Sequence, residues 1–274
     1  MAFGLIIIGD EILSGKRADQ HFPKVVQLLG ARGLQLGWAE YLGDDPARIT
    51  ATLRRTLASG DVVFSCGGIG ATPDDHTRQC AAAALGVPLA LHPQARDRIE
   101  ERITDMAREA GITADLQAPD NLHRLKMGEF PVGAQIIPNP YNKIPGFSVR
   151  GAVGEAEAEA KSGAHHFVPG FPVMAWPMIE WVLDTHYSSL FHQSPRLERS
   201  VLVFGAMEST LTPLMESIEK QFLQVKVFSL PSVGNAQSRA FIELGVKGEP
   251  AQTAAAFACL QAELDRLGSE YRHT

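Results

Sequence analysis

The N-terminal part of the chain alternates short apolar runs with amphipathic stretches. The continuous apolar run 5–8 predicts a strand that is covered on both faces. Strands are also predicted over residues 34–41 and 61–66. Between them, helices are predicted from apolar residues at helical spacing, namely Phe22, Val25, Val26 and Leu29, and then Ile49, Leu53 and Leu57. This alternation predicts βαβ units and a mostly parallel sheet.

The rest of the chain contains further elements and then a restart of the pattern. Elements are predicted, in chain order, over residues 80–85, 93–110, 134–137, 166–168 and 172–182. A boundary is predicted between Phe191 and Arg199. Beyond it the predicted elements are strand 200–204, helix 211–222, strands 225–229 and 239–246, and helix 250–267. We therefore predict two domains, 1–192 and 197–274, of which the second is a small α+β unit.

Composition and charge argue against several classes of function. The net charge of −6 disfavours nucleic acid as the main partner, because phosphate contacts require a basic surface. The three cysteines form no Cys-x-x-Cys pair, which favours a reducing compartment, and we expect a cytoplasmic protein. The run 5–8 is too short to span a membrane and follows no basic stretch, so we expect neither an anchor nor a signal peptide. Residues 155–161 alternate glutamate with alanine and predict a solvated excursion, with a docking segment for a partner as the alternative.

The most informative polar segment follows the third predicted strand. Residues 67–77 read Gly-Gly-Ile-Gly-Ala-Thr-Pro-Asp-Asp-His-Thr. Glycines bring backbone amides close to a ligand, and a helix predicted to start near Asp75 could hold an anion at its N-terminus. The adjacent Asp74 and Asp75 indicate a divalent cation that accompanies phosphates, or acid–base catalysis, with helix capping as the alternative. The segment has neither the Gly-Lys-Ser/Thr of a Walker A loop nor the spacing of a dinucleotide fingerprint.

Two other loops also follow predicted strands. Gly9-Asp10-Glu11 ends the first strand, and residues 169–172 read Pro-Gly-Phe-Pro. In open α/β sheets, ligands bind beyond the carboxyl ends of the strands, so all three loops are expected at one edge. Taken alone, the carboxylates of the first loop are equally consistent with a capped, acidic helix start, and the last loop with a plain turn.

Four ordered motifs together resemble the molybdopterin-binding (MoCF) family. The motifs are Gly-Asp-Glu-Ile-Leu at 9–13 with Gly15 and Asp19, the segment 67–77, Asn139-Pro140 to Pro145-Gly146-Phe147, and Pro-Gly-Phe-Pro at 169–172. The resemblance covers residues 1 to about 190 and is nearest to the N-terminal part of CinA, the competence/damage-inducible protein. The third motif is also similar to the molybdopterin-binding-like domain of some eukaryotic FAD synthases. Residues 197–270 resemble the small accessory domain of CinA proteins, with 205–209 as the matching turn.

This resemblance implies a three-layer α/β/α sandwich that binds a pterin phosphate or a nucleotide. In molybdenum-cofactor enzymes, the aspartate that matches Asp75 assists adenylyl transfer or molybdate insertion. In CinA-like members the domain is linked to metal-dependent cleavage of ADP-ribose, and in the FAD synthase branch to FAD hydrolysis. Relatives form dimers or trimers, so a homo-oligomer is expected. The C-terminal amidohydrolase domain of CinA is expected to be absent, together with its nicotinamide-nucleotide deamidase activity.

The resemblance and the loops give one set of predicted site residues. The predicted catalytic residues are Asp75 and Asp74. The predicted metal ligands are Asp75 and Asp10, for Mg²⁺, Mn²⁺ or Co²⁺. The predicted ligand-binding residues are Gly9, Asp10, Glu11, Ser14, Gly67, Gly68, Ile69, Gly70, Thr72, Thr77, Lys143, Gly146, Pro169 and Gly170.

Two positions depart from the pattern of CinA proteins. Where those proteins carry Gly-Thr-Ala before the Pro-Gly-Phe motif, this chain has Asn142-Lys143-Ile144. Lys143 could supply a cation for a phosphate, with a solvated loop lysine as the alternative. Where those proteins carry a glutamate after Pro-Gly-x-Pro, this chain has Met174. If that glutamate places a metal or a water, its loss disfavours hydrolysis here.

These observations leave several functions open. The first is a binding protein for a phosphorylated pterin, such as molybdopterin, or for a nucleotide. The second is a metal-dependent pyrophosphatase acting on ADP-ribose or FAD, in which water attacks phosphorus. The third is an interaction protein that kept the fold and lost the chemistry, and the fourth is a role in molybdenum-cofactor synthesis.

Overall fold

The computed structural model describes residues 1–150, 163–193, 196–234 and 239–274. They form two compact units, Met1–Phe191 and His192–Thr274. The segment 155–161, for which a solvated excursion is predicted, lies outside the described residues. No helix in the described ranges is long and apolar enough to cross a membrane.

The first unit is built around a six-stranded sheet. In chain order, its strands are β1 (Phe3–Ile8), β2 (Leu36–Leu42), β3 (Val62–Cys66), β4 (Leu89–Leu91), β5 (Glu129–Pro131), β6 (Gln135–Ile137), β7 (Gly146–Arg150) and β8 (Ala164–Val168). The spatial order of the main sheet is β2-β1-β3-β8-β7-β6, and β4 pairs separately with β5. The strands β2, β1, β3 and β8 run parallel, whereas β7 is antiparallel to both of its neighbours. The predicted mostly parallel sheet is confirmed.

Helices cover both faces of this sheet. They are α1 (Asp10–Leu13), α2 (His21–Gly30), α3 (Pro46–Leu57), α4 (Thr77–Leu85), α5 (Pro93–Glu109), α6 (Pro119–Leu125) and α7 (Pro172–His186). Side chains of β1 alternate between two cores, as the pleat of a strand requires. Leu5 and Ile7 belong to the core that includes α2 and α7, and Ile6 and Ile8 to the core that includes α3 and α4. The result is the predicted three-layer α/β/α sandwich.

The helix predicted from Phe22, Val25, Val26 and Leu29 is present as α2. Two of these residues, Phe22 and Val26, are nevertheless exposed. Val25, Leu28 and Leu29 are the buried apolar residues, and they continue the stripe that begins at the buried His21. The stripe follows the spacing i, i+4, i+7 and i+8, and Phe22 and Val26 lie one position beyond it.

The second unit is a four-stranded antiparallel sheet with two helices. Its elements are β9 (Leu197–Phe204), α8 (Glu208–Gln221), β10 (Val225–Ser232), β11 (Phe241–Gly248), α9 (Pro250–Arg266) and β12 (Glu270–His273). The spatial order is β10-β11-β9-β12. This βαββαβ order is that of the split βαβ motif. Alternate residues of the central strands, such as Val203 and Leu244, pack with Leu214 and Leu260 of the helices.

Candidate functional site

The carboxyl ends of β1, β3 and β8 open into one pocket of about 550 Å³. The loops that follow these strands all contribute to its lining, because parallel strands place such loops at the same edge of the sheet. The structure therefore brings the three loops singled out from the sequence together. The predicted site residues that line the pocket are Gly9, Glu11, Gly67, Gly68, Ile69, Gly70, Thr72, Asp74, Asp75, Pro169 and Gly170.

The glycine loop, residues 67–72, directs its carbonyl groups to residues that do not line the pocket. Thr77 donates from its hydroxyl to the Gly67 carbonyl at 3.1 Å and from its backbone amide to the Gly68 carbonyl at 3.0 Å. The Arg78 guanidinium donates to the Gly70 carbonyl at 2.7 Å. Both donors are buried residues at the start of α4. Hydrogen bonds from Thr77 and Arg78 to these carbonyls therefore hold the loop in place.

Four amide groups in the middle of the same loop are left free, whereas those of Gly67 and Thr72 are bonded to the Val168 carbonyl and to Asp75. His123 of α6 holds the Ala71 carbonyl at 2.9 Å, so a fourth carbonyl is also taken. A trans peptide points its N–H to the side opposite its carbonyl. Within the described part of the chain, no protein acceptor takes the backbone N–H groups of Gly68, Ile69, Gly70 and Ala71. Successive free amides in such a turn form a nest that binds anions.

Two glycines of this loop cannot be replaced without strain. Gly67 has φ of +110° and Gly68 has φ of +69°. A Cβ on Gly67 would lie 2.2 Å from the Ile8 carbonyl oxygen, and a Cβ on Gly68 would lie 2.2 Å from the Thr77 hydroxyl oxygen. The end of β1 and the start of α4 thus approach the loop so closely that only glycine fits.

Asp75 holds the outer part of the loop. Its Oδ2 accepts a hydrogen bond from the Thr72 amide at 2.9 Å and another from the Thr72 hydroxyl. It does not cap a helix, because α4 begins at Thr77 after His76, which makes no capping hydrogen bond. The predicted helix start near Asp75 agrees with the observed start at Thr77. The first amide of α4 is already bonded to the Gly68 carbonyl, so the free amides beside the pocket are those of the glycine loop, whose residues line it.

An acidic depression adjoins the pocket. It is lined by Asp10, Glu11, Asp44 and Asp74, with Leu13, Ser14 and Lys16. The Asp10 amide donates to Asp44 Oδ2 at 2.9 Å, and the Asp44 amide donates to Asp10 Oδ1 at 3.2 Å. Burial raises the pKa of Asp44, the hydrogen bond from Asp10 opposes this, and the charges of Asp10, Glu11 and Asp74 raise it further. The depression therefore carries a net negative charge, because Lys16 is the cationic side chain beside four carboxylates in this lining.

The predicted pair of metal ligands does not converge. Asp10 lines the acidic depression, whereas Asp75 lines the pocket and is turned toward Thr72. Among the described residues, no group of three or more His, Cys, Asp and Glu side chains could hold a metal ion. The side chains present do not form a complete metal site made of protein ligands alone.

Besides Asp10, which lines the acidic depression, three of the predicted ligand-binding residues lie outside the pocket lining. Ser14 lines the acidic depression and not the pocket. Thr77 is fully buried beneath the glycine loop, and Gly146 is buried at the start of β7. A Cβ on Gly146 would lie 2.3 Å from the Phe167 carbonyl oxygen, so this glycine permits close pairing of two strands. The contribution of Thr77 and Gly146 is to position the loops.

Lys143 is also placed away from the pocket. Its ammonium group forms ion pairs with Glu101, at 2.7 Å, and with Asp105, and both carboxylates belong to α5. Hydrogen bonds to Asp105 and Glu101 raise the pKa of Lys143. The residue lines a separate cavity with Trp181. The suggestion that Lys143 supplies a cation to a bound phosphate is not supported, because two carboxylates already neutralise it.

Several lining residues were not predicted from the sequence. They are Arg17, Asp44, Met127, Asn139, Asn142, Ile144, Pro145 and Phe171. Asp44 could have been found, since it follows β2 at the same edge of the sheet as the other loops. Met174 lines the pocket as well, and Asn142 donates to its sulfur at 3.3 Å. The position of the missing glutamate is thus part of the pocket.

Comparison with known proteins places the first unit in one family. A family model described as "Probable molybdopterin binding domain" matches residues 4–199. A CinA-like protein of Anaeromyxobacter sp. (strain Fw109-5) is 35% identical over 180 residues, which cover 65% of this chain and 39% of that protein. A CinA-like protein of Mycolicibacterium vanbaalenii is 29% identical over 272 residues, covering 97% of this chain and 60% of that protein. The chain therefore spans less than two thirds of the length of these relatives.

A solved structure shares the architecture of the first unit. The crystal structure of the protein CinA from Thermoplasma acidophilum, whose function is given as unknown, superposes with a TM-score of 0.54. The two sequences are 25% identical, and the match covers 68% of this chain and 98% of the other. The molybdopterin-binding and CinA-like resemblance stated from the sequence motifs is confirmed by these matches.

Proposed function

Because the chain belongs to the molybdopterin-binding domain family, we propose that its pocket binds a phosphorylated pterin or nucleotide. The observation that carries the proposal is the run of four free backbone amides over residues 68–71. Carbonyl groups of the same loop accept hydrogen bonds from Thr77, Arg78 and His123, which do not line the pocket. Such a nest suits phosphate oxygens. A pocket of about 550 Å³ also lies within the range that binds small molecules.

The net negative charge of the pocket lining opposes the binding of a phosphate. Glu11, Asp44, Asp74 and Asp75 line it, against Arg17 as the cationic side chain of the described lining. A phosphate therefore gains from the amides and meets repulsion from the carboxylates. A divalent cation that accompanies phosphates requires only one or two protein carboxylates, so we expect divalent cations to strengthen binding.

We expect Gly170→Ala to weaken ligand binding without unfolding the protein. A Cβ on Gly170 would make ordinary van der Waals contact with Gly67 Cα at 3.5 Å, so the fold tolerates the added methyl group. Because both glycines line the pocket, the methyl group would take up space next to the free amides. Isothermal titration with ADP-ribose, FAD, ATP and molybdopterin, with and without Mg²⁺, should show binding of at least one ligand. The variant should bind that ligand about tenfold more weakly, which corresponds to about 1.4 kcal/mol.

Gly30→Ala is the matched control for this experiment. A Cβ on Gly30 would meet nothing within 4 Å, and this glycine ends α2 away from the pocket. Its affinity should equal that of the unchanged protein. Failure of the folded, unchanged protein to bind any of the four ligands would contradict the proposed function.

A second candidate function is the hydrolysis of a pyrophosphate bond. The observation that favours it is that Glu11, Asp44 and Asp74 line both the pocket and the acidic depression, beside Asp75. In this reaction a water attacks one phosphorus, the bridging P–O bond breaks, and the other phosphate leaves. A carboxylate within reach of the water can accept its proton. The products are two phosphate monoesters, for example AMP and ribose phosphate from ADP-ribose.

We expect Met174→Glu to increase cleavage of ADP-ribose in the presence of Mg²⁺, Mn²⁺ or Co²⁺. The substitution adds a carboxylate to the pocket lining within reach of the Asn142 amide, which now donates to the Met174 sulfur. Release of AMP, followed by chromatography, should rise about tenfold, within the range that a positioned acid–base group contributes. Met174→Gln is the control of equal size without charge. Equal rates for the two variants would show that the added carboxylate has no effect.

A further inference from the structure

Arg78 lies beneath the glycine loop, against the Gly70 carbonyl. Only 4% of this residue is exposed. Its guanidinium donates to the Gly70 carbonyl at 2.7 Å and to the Lys126 carbonyl, and its Nε has no partner among the described residues. It forms no ion pair with a carboxylate in the described part of the chain. Arg78 is therefore a buried cation held only by backbone carbonyls.

The burial of this charge has a cost in free energy. Burial of a charge without a counter-ion is costly, and arginine remains protonated in proteins. Burial lowers the pKa of Arg78, and the charges of Glu129 and Asp75 raise it only in part. An anion bound on the glycine loop would lie on the other side of the Gly70–Ala71 peptide and would offset this charge.

We propose that Arg78 positions the glycine loop and gives the pocket its preference for ligands of higher negative charge. This inference rests on the proposed function, because it assumes that a phosphorylated ligand occupies the pocket. The hydrogen bond to the Gly70 carbonyl turns the Ala71 N–H to the opposite side, since the peptide is planar and trans. The same guanidinium supplies the positive charge that offsets the carboxylates of the lining. Arg78 acts through the loop and does not itself line the pocket.

Two substitutions of Arg78 separate its positioning of the loop from the effect of its charge. Lysine keeps the charge and loses the planar group that joins two carbonyls, whereas glutamine keeps one donor nitrogen and loses the charge. A charge effect should scale with the charge of the ligand, whereas a purely structural effect should weaken all ligands equally. ADP and AMP form a suitable pair of probes, since they differ by one phosphate.

The test is isothermal titration of ADP and AMP with the unchanged full chain, Arg78→Gln, Arg78→Lys and Arg32→Gln. Arg32 is the control, because it also donates to a backbone carbonyl, that of Leu28, and lies away from the pocket. We expect Arg78→Gln to lose roughly 30-fold in affinity for ADP, at the lower end of what removal of one partner of a buried charge pair costs, and less than about tenfold for AMP. Arg78→Lys should bind both more weakly and keep the preference for ADP. Arg32→Gln should bind as the unchanged protein does.

The relative losses of affinity for ADP and AMP distinguish a charge effect of Arg78 from a structural one. Equal losses for ADP and AMP in Arg78→Gln would assign a structural role alone and overturn the selection by charge. Unchanged binding in that variant would overturn the inference and leave the proposed function standing, whereas absence of binding by the unchanged protein would remove both. If Arg78→Gln does not fold, Arg78→Lys decides: a retained preference for ADP supports the inference, and a lost preference overturns it.

Discussion

Gly67→Ala is expected to destabilise the first unit more than any other single substitution considered for this chain. The Cβ would lie 2.2 Å from the Ile8 carbonyl oxygen, and φ at this position is +110°, where alanine is strained. Strain costs about 1–3 kcal/mol and overpacking against a fixed backbone about 1–3 kcal/mol more. The expected loss is therefore about 4 kcal/mol, or roughly 10 °C in the unfolding midpoint.

Tryptophan fluorescence provides the measurement. Trp38, Trp176 and Trp181 are the three tryptophans of the chain, and all lie in the first unit, so their emission reports on this unit alone. Gly133→Ala is the matched control, because Gly133 has φ of +91° and a Cβ there would meet nothing within 4 Å. The control should lose only the strain contribution. Equal losses for the two variants would mean that the close approach of β1 to the glycine loop has no energetic effect.

The architecture was predictable because its determinants are local or periodic. The continuous apolar run of β1 and the position of Asp45, whose side chain accepts from the Arg48 amide at the start of α3, each act within a few residues. The rule that loops after parallel strands share one edge then places the site. Asp44 obeys the same rule, because it follows β2 at this edge, although it is absent from the predicted set of site residues.

The interactions that the sequence does not determine join residues far apart in the chain. The sequence leaves open whether Lys143 supplies a cation for a phosphate or is a solvated loop lysine, whereas its partners Glu101 and Asp105 lie 42 and 38 residues away. Thr77 belongs to the segment 67–77 that the sequence marks as functional, and Arg78 follows this segment directly. The contribution of both residues depends on which loop carbonyls they reach. Spacing along the chain does not determine such contacts, because they depend on how the layers pack.

The glycine loop depends both on its local sequence and on contacts with residues far along the chain. Its sequence predicts an anion-binding turn, and the structure shows that its carbonyls are bound by α4 and α6 so that its amides remain available. The neighbouring Asp75 also supports the loop, because its carboxylate accepts hydrogen bonds from Thr72. Asp74 lines the pocket and the acidic depression.

Asp75→Asn is expected to abolish the cleavage of ADP-ribose while it preserves ligand binding. Asparagine is close to aspartate in size, and its side-chain oxygen can still accept the hydrogen bond from the Thr72 amide, so the loop should keep its shape. The substitution removes a negative charge and a proton acceptor from the pocket lining. AMP release should fall at least ~100-fold, as for the loss of a general base.

Binding should therefore be preserved or strengthened by this substitution, while catalysis is lost. Affinity for ADP should be unchanged or higher in Asp75→Asn, because a carboxylate no longer repels the phosphates. Asp97→Asn, which removes an exposed carboxylate of α5 outside the pocket, should change neither quantity. Full activity in Asp75→Asn would exclude Asp75 as the catalytic group. A parallel loss of binding and activity would instead assign Asp75 to the support of the loop through Thr72, and the second candidate function would then need another base.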